Sequence, residues 1–130
     1  MKHVSDEQLI QEAKSVIRSR KIRHGFVVGD VGCALVTDKG NIYRGVCIDT
    51  CCGMGFCAEH SAIAAMTTHG EYKIKKIVAV PKNGIAYPCG RCREFMHQIH
   101  EENLNTEIII GKNKVVRLKD LLPHPWDEKF

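Results

Sequence analysis

Two short stretches of this chain carry residue types that do chemistry together: Cys57-Ala-Glu-His60 and Pro88-Cys-Gly-Arg-Cys-Arg93. Thiols are soft ligands, and zinc prefers sulfur and nitrogen donors in a tetrahedron. Cys89 and Cys92 stand at i and i+3. In a helical turn such residues share a face, so their sulfurs can converge on one ion. Two thiolates are too few, and Cys57, at the tip of a second helix, supplies a third. Three protein ligands leave one position open, which a catalytic zinc needs for water. Glu59 falls in the same first turn as Cys57. It can take a proton from that water and hand it to a leaving amine without being a ligand itself.

Three thiolates around one Zn²⁺ leave a net negative charge, which makes a poor Lewis acid unless positive potential offsets it. Two helix N-termini aimed at the metal provide part of the offset, about half a charge each. They also favour the thiolate form. Arg91 and Arg93 flank the ligands, and either can donate a hydrogen bond to sulfur. A protonated His60 would add charge as well, since histidine titrates near neutrality. Other readings stand beside this one. A Cys-x-x-Cys pair alone also fits a redox couple. A closed structural zinc site would take a fourth ligand from Cys51, Cys52 or His60. The two stretches together are far more specific than either alone.

The elements that must hold these residues follow from periodicity and turn chemistry. Ser5-Asp-Glu-Gln8 has capping-box spacing, and Leu9, Ala13, Val16 and Ile17 form one apolar face, which predicts a helix to about Arg20. Val27-Val28 and Gly32–Thr37 read as strand, and with Ile42–Ile48 across the turn Asp38-Lys-Gly-Asn41 they predict a hairpin. Asp49–Gly55 reads as a loop and Cys57–Thr68 as a helix. Ile74–Val80 is mostly apolar and predicts a central strand. Pro88 suits the first position of a helix running to about His100. Strands follow at Thr106–Ile110 and Val115-Val116, then a helical turn over Lys119–Leu122, stopped by Pro123. Alternating helices and strands predict one domain over residues 1–130, an α/β fold in three α/β/α layers around a mixed five-stranded sheet.

Composition sets the remaining bounds. The 130 residues are 44% hydrophobic and 26% charged, which excludes a disordered or fibrous chain. A net charge of +4 is mild for a nucleic-acid binder. The one dense basic stretch, Arg18-Ser-Arg-Lys-Ile-Arg-His24, reads as a solvated helix end. Neither a membrane-length apolar run nor a secretory h-region is present, so a cytoplasmic setting is expected. The seven cysteines then read as ligands or small fillers rather than disulfides, with Cys51 and Cys52 among the fillers. His97 and His100 are expected at the exposed end of their helix. Trp126, between two prolines, fits either a subunit contact or packing on its own domain.

Cys-x-Glu followed by Pro-Cys-x-x-Cys resembles the signature of zinc-dependent deaminases. Nearly the whole chain is similar to the small, single-domain form of the cytidine deaminase superfamily. Val31-Gly-Cys-Ala-Leu35, Ile42-Tyr-Arg-Gly45 and Leu121-Leu-Pro123 match further segments of that family. The resemblance implies one Zn²⁺ per chain on Cys57, Cys89 and Cys92, with Glu59 as proton shuttle and the Ala58 backbone touching the base. It implies hydrolytic deamination of a cytosine-type nucleoside such as cytidine or deoxycytidine, a role in pyrimidine salvage, and a homotetramer. Cys47-Ile-Asp49 stands where the family carries the Asn-x-Glu that grips ribose hydroxyls, and His60 stands where an arginine usually meets a zinc thiolate. Tyr-Pro-Cys-Gly-Arg-Cys-Arg is also similar to blasticidin-S deaminases, which act on a modified cytosine nucleoside. A non-catalytic zinc protein with the same fold is the third reading.

Overall fold

Ser5 starts the first helix by a reciprocal cap. Its hydroxyl accepts from the Gln8 backbone N–H at 3.1 Å, and the Gln8 side chain accepts from the Ser5 N–H at 2.8 Å. In this computed structural model, which describes residues 3–130, helix α1 spans Asp6–Ser15. It stops short of the expected Arg20 because the chain is captured by a strand. The Arg18 N–H donates to Gly29 O at 3.0 Å, and Arg20–Arg23 forms strand β1. Gly29 has φ +87°, and a Cβ there would lie 2.2 Å from Arg18 O, so only glycine permits the approach. The basic stretch is thus an exposed edge strand rather than a helix end, and the sheet has six strands rather than five.

Strand β2, Phe26–Thr37, organises the sheet. Strand β3, Ile42–Thr50, runs antiparallel to it, and strand β4, Ile74–Val80, pairs antiparallel with Gly32–Thr37. Beyond the irregularity between Val28 and Gly32, β1 takes up Phe26–Val28. Strand β5, Glu107–Gly111, is parallel to β4, and strand β6, Lys114–Arg117, is antiparallel to β5. Alternation along the strands divides two cores. Ala34, Val36, Val78, Val80 and Ile109 meet Leu9, Ile10 and Ala13 of α1. Cys33, Leu35, Ile77, Ile108 and Ile110 face the other way.

That second face carries helix α2, Ala58–Thr68, helix α3, Gly90–Ile99, and the short helix α4, Leu118–Leu121. Pro88 precedes α3 by two residues instead of opening it. Gly45 lets α2 sit close on β3, because a Cβ there would lie 2.4 Å from the Ala62 backbone nitrogen. The Ser61 hydroxyl donates to Val46 O at 2.7 Å beside it. Asn103 ties α3 to β4: its Oδ1 accepts from the Ile74 N–H, and its Nδ2 donates to Tyr72 O and Met96 O. Among the described residues, no helix is long and apolar enough to cross a membrane.

Candidate metal centre and active site

Since β3 and β4 are both antiparallel to β2, they point the same way, and the helices that follow them start at the same edge of the sheet. Cys57 is the N-cap of α2 and Cys89 the N-cap of α3, both with extended backbone and no side-chain capping bond. Cys92 lies one turn into α3. The three sulfurs lie within 4.8 Å of one another, with Cys57–Cys89 and Cys89–Cys92 each at 3.5 Å. Sulfurs at two corners of a zinc tetrahedron stand about 3.8 Å apart. Donor type, number and spacing therefore fit zinc, with a fourth position open.

The thiols differ in their readiness to ionise. Burial, then the bond to Cys89, pushes Cys57 up to about 11. Burial and the Glu59 charge raise Cys92 as well. For Cys89, burial opposes ionisation, but the amides of Cys92 and Arg91 and the bond to Cys57 outweigh it and lower its pKa. Glu59 is 5% exposed. Burial raises its pKa, only partly countered by its own backbone amide and the Cys92 thiol. A carboxyl group so placed carries a proton more readily at neutral pH than a solvated one.

His60 Nδ1 lies 3.4 Å from Cys92 Sγ, and its ring stacks on Phe95. Burial, then the charge of Arg91, holds the imidazole below its usual pKa, which favours the neutral form over the imidazolium that would add charge. Arg93 does not turn to the sulfurs. Its Nε donates to Pro88 O at 2.8 Å and its Nη1 to Leu121 O at 3.2 Å, which pins the entry of α3 to the end of α4. Arg91 is exposed on the cleft wall.

The cleft above the sulfurs holds about 540 Å³. Cys47, Asp49, Ala58 and Glu59 all line it. The Cys47 thiol is buried, accepts from the Val31 N–H at 3.3 Å and donates to Asp49 Oδ2 at 3.8 Å, while Asp49 is exposed. Sequence reasoning missed Phe56, Tyr87 and Asp30 on the same wall. The two aromatics directly precede the two cysteine stretches, which is the signal that would have found them.

Other expectations meet corrections here. Cys51 and Cys52 are exposed on a 3-10 turn, Cys51–Gly53, and are not buried fillers. His97 is buried, with Nε2 bonded to Asp127 at 2.6 Å, because the C-terminal segment folds back over α3. Trp126 is exposed and packs edge-on against Phe130.

The chain has relatives of the same architecture. A cytidine deaminase from Mycobacterium leprae superposes with a TM-score of 0.78 and 26% identity over 94% of this chain and 100% of that one. The cytidine deaminase from Burkholderia pseudomallei gives 0.77 and 26% identity over 95% and 100%. The Mycobacterium tuberculosis cytidine deaminase shares the fold, with a TM-score of 0.80 at 24% identity over 95% and 98%. The cytidine and deoxycytidylate deaminase zinc-binding region matches residues 3–111, a span that includes all three converging cysteines and Glu59. With that match over most of its length and with this fold, the chain belongs to the cytidine deaminase superfamily.

Proposed function

We propose that this protein hydrolyses the exocyclic amine of a cytosine-type nucleoside, cytidine or deoxycytidine in the first instance, to the uracil form and ammonia. The observation that carries the reading is a buried carboxyl group, Glu59, next to three convergent sulfurs at the floor of a nucleoside-sized cleft. A structural zinc site has no use for that carboxylate. Cys57, Cys89 and Cys92 would hold a Zn²⁺, which when bound would supply a Lewis acid able to make water nucleophilic near neutral pH. Glu59 accepts the proton of the attacking water on a carboxylate oxygen and delivers it to the departing amine. The α2 backbone at Ala58 meets the base edge, and Phe56 and Tyr87 offer faces for the ring. His60 acts beside the Cys92 sulfur, Arg91 lines the cleft, and Arg93 braces the loop that carries Cys89.

The acidic part of the cleft wall favours a second reading within the same chemistry. Asp30 and Asp49 both line it, and the Cys47 sulfur is engaged by a backbone amide. That wall suits a modified nucleoside with a cationic substituent, as in blasticidin S. A panel of cytidine, deoxycytidine, cytosine and blasticidin S, followed by ammonia release, separates the two. Turnover of cytidine or deoxycytidine supports the first reading; turnover of blasticidin S alone supports the second; none from any member, with zinc bound, defeats both.

The reading includes a homotetramer, a single domain and a cytoplasmic role in pyrimidine salvage. Exposed Met54, Phe56 and Tyr87 near the cleft support association, since exposed apolar groups in one region favour a protein contact. Thiolate ligands are best preserved in a reducing compartment.

A further inference from the structure

We infer that Phe95 is a positioning residue: it holds the His60 imidazole so that Nδ1 donates to Cys92 Sγ, and through that bond it sets how tightly the three-sulfur site keeps its metal. The inference rests on the zinc reading above.

Phe95 and Cys92 are i and i+3 on α3, so the helix that brings a ligand also brings the platform beside it. His60 arrives from α2, three residues after Cys57. The His60 and Phe95 rings are parallel within 1°, with centroids 4.3 Å apart. Phe56 lies near the imidazole at 6.2 Å, tilted by 37°. The parallel stack opposes rotation of the imidazole about its Cβ–Cγ bond. Such a rotation would carry Nδ1 away from the sulfur, 3.4 Å off.

Among the described residues, Cys92 Sγ is the one hydrogen-bond partner of His60 Nδ1. A thiolate has no proton to give, so in the ionised site the bond must run from Nδ1–H to sulfur. That bond draws negative charge off Cys92. It orients the sulfur and so favours retention of the ion. Groups that orient metal ligands in this way typically change metal affinity about ten- to a hundredfold when removed. Cys92 needs the help most, as the buried member of the three.

The test is a zinc dissociation constant, from competition with a chromophoric chelator, for wild type, Phe95→Leu, His60→Ala and the double variant. Phe95→Tyr serves as the conservative control. Phe95→Leu keeps an apolar side chain and removes the stacking face, and the circular dichroism of each variant reports its fold. The expected result is about tenfold weaker zinc binding in Phe95→Leu and at least as much in His60→Ala. The double variant is no weaker than His60→Ala, and Phe95→Tyr matches wild type. In Co²⁺-loaded protein, the sulfur-to-metal charge-transfer band shifts in Phe95→Leu and His60→Ala together. A folded Phe95→Leu that binds zinc like wild type overturns the inference, and so does an additive double variant. If wild type itself takes up no zinc, the metal-site reading fails first, which is a different result from equal binding by wild type and variant.

Discussion

The sulfurs of Cys57 and Cys89 stand 3.5 Å apart although each caps a different helix and 32 residues separate them along the chain. The parallel directions of β3 and β4 bring this about, because both helices then begin at one edge of the sheet. Two helix N-termini meet at the sulfurs, where their partial positive charge is most useful to thiolates.

Glu59 should separate catalysis from assembly. Glu59→Gln is expected to lower turnover about 10²- to 10⁴-fold while zinc content stays at the wild-type level. Steady-state kinetics with metal analysis on the same sample check this. Loss of zinc with activity would make Glu59 a ligand-site support rather than a proton carrier.

The same substitution should stabilise the metal-free chain at neutral pH. Burial raises the Glu59 pKa, so the folded state holds its proton above the ordinary glutamate value. Stability from this group is present at low pH and is lost as pH rises through the raised pKa. Glu59→Gln removes that loss and should add about 0.5–2 kcal/mol at pH 7, with less gain at pH 4. Urea denaturation of metal-free protein at the two pH values gives the comparison, and an equal or opposite change would contradict the burial argument.

Zinc uptake should depend steeply on pH. Cys57 is pushed up to about 11, and Cys92 is raised too, so both are thiols at neutral pH before metal arrives. Binding must expel at least those two protons, and affinity should rise about a hundredfold per pH unit near neutrality. Calorimetry in buffers of different ionisation enthalpy counts the protons released. A pH-independent dissociation constant would place the metal elsewhere.

Much of this was legible in the chain itself. The cysteine spacing marked the three sulfurs that converge, and the Ser5 cap marked the first helix. Strand β1 was not legible, because Arg20–Arg23 has no alternating pattern: all four residues are exposed, and pairing with β2 alone makes them a strand. His97 reads as a surface residue until the C-terminal segment brings Asp127 over it. Arg93 lies beside Cys92 in sequence, yet the helical turn aims it at Pro88 and Leu121. These are long-range outcomes, which local spacing does not encode.

Asn103 offers a test of how α3 is held. It is 1% exposed, and three backbone groups depend on its amide. Asn103→Leu strands them in the core and should cost about 3 kcal/mol or more, since each unpaired buried group costs about 1–3. Thermal unfolding of the zinc-loaded variant checks the direction, and an unchanged midpoint would show that water replaces the amide.

The central claim is most directly tested by titrating the purified chain with a mercurial in the presence of a zinc indicator. The account predicts one zinc released per chain, in step with modification of three thiols, and protection of those thiols lost in Cys57→Ser. A chain purified without chelator that releases no zinc, or releases it without loss of Cys57, Cys89 and Cys92, would contradict it.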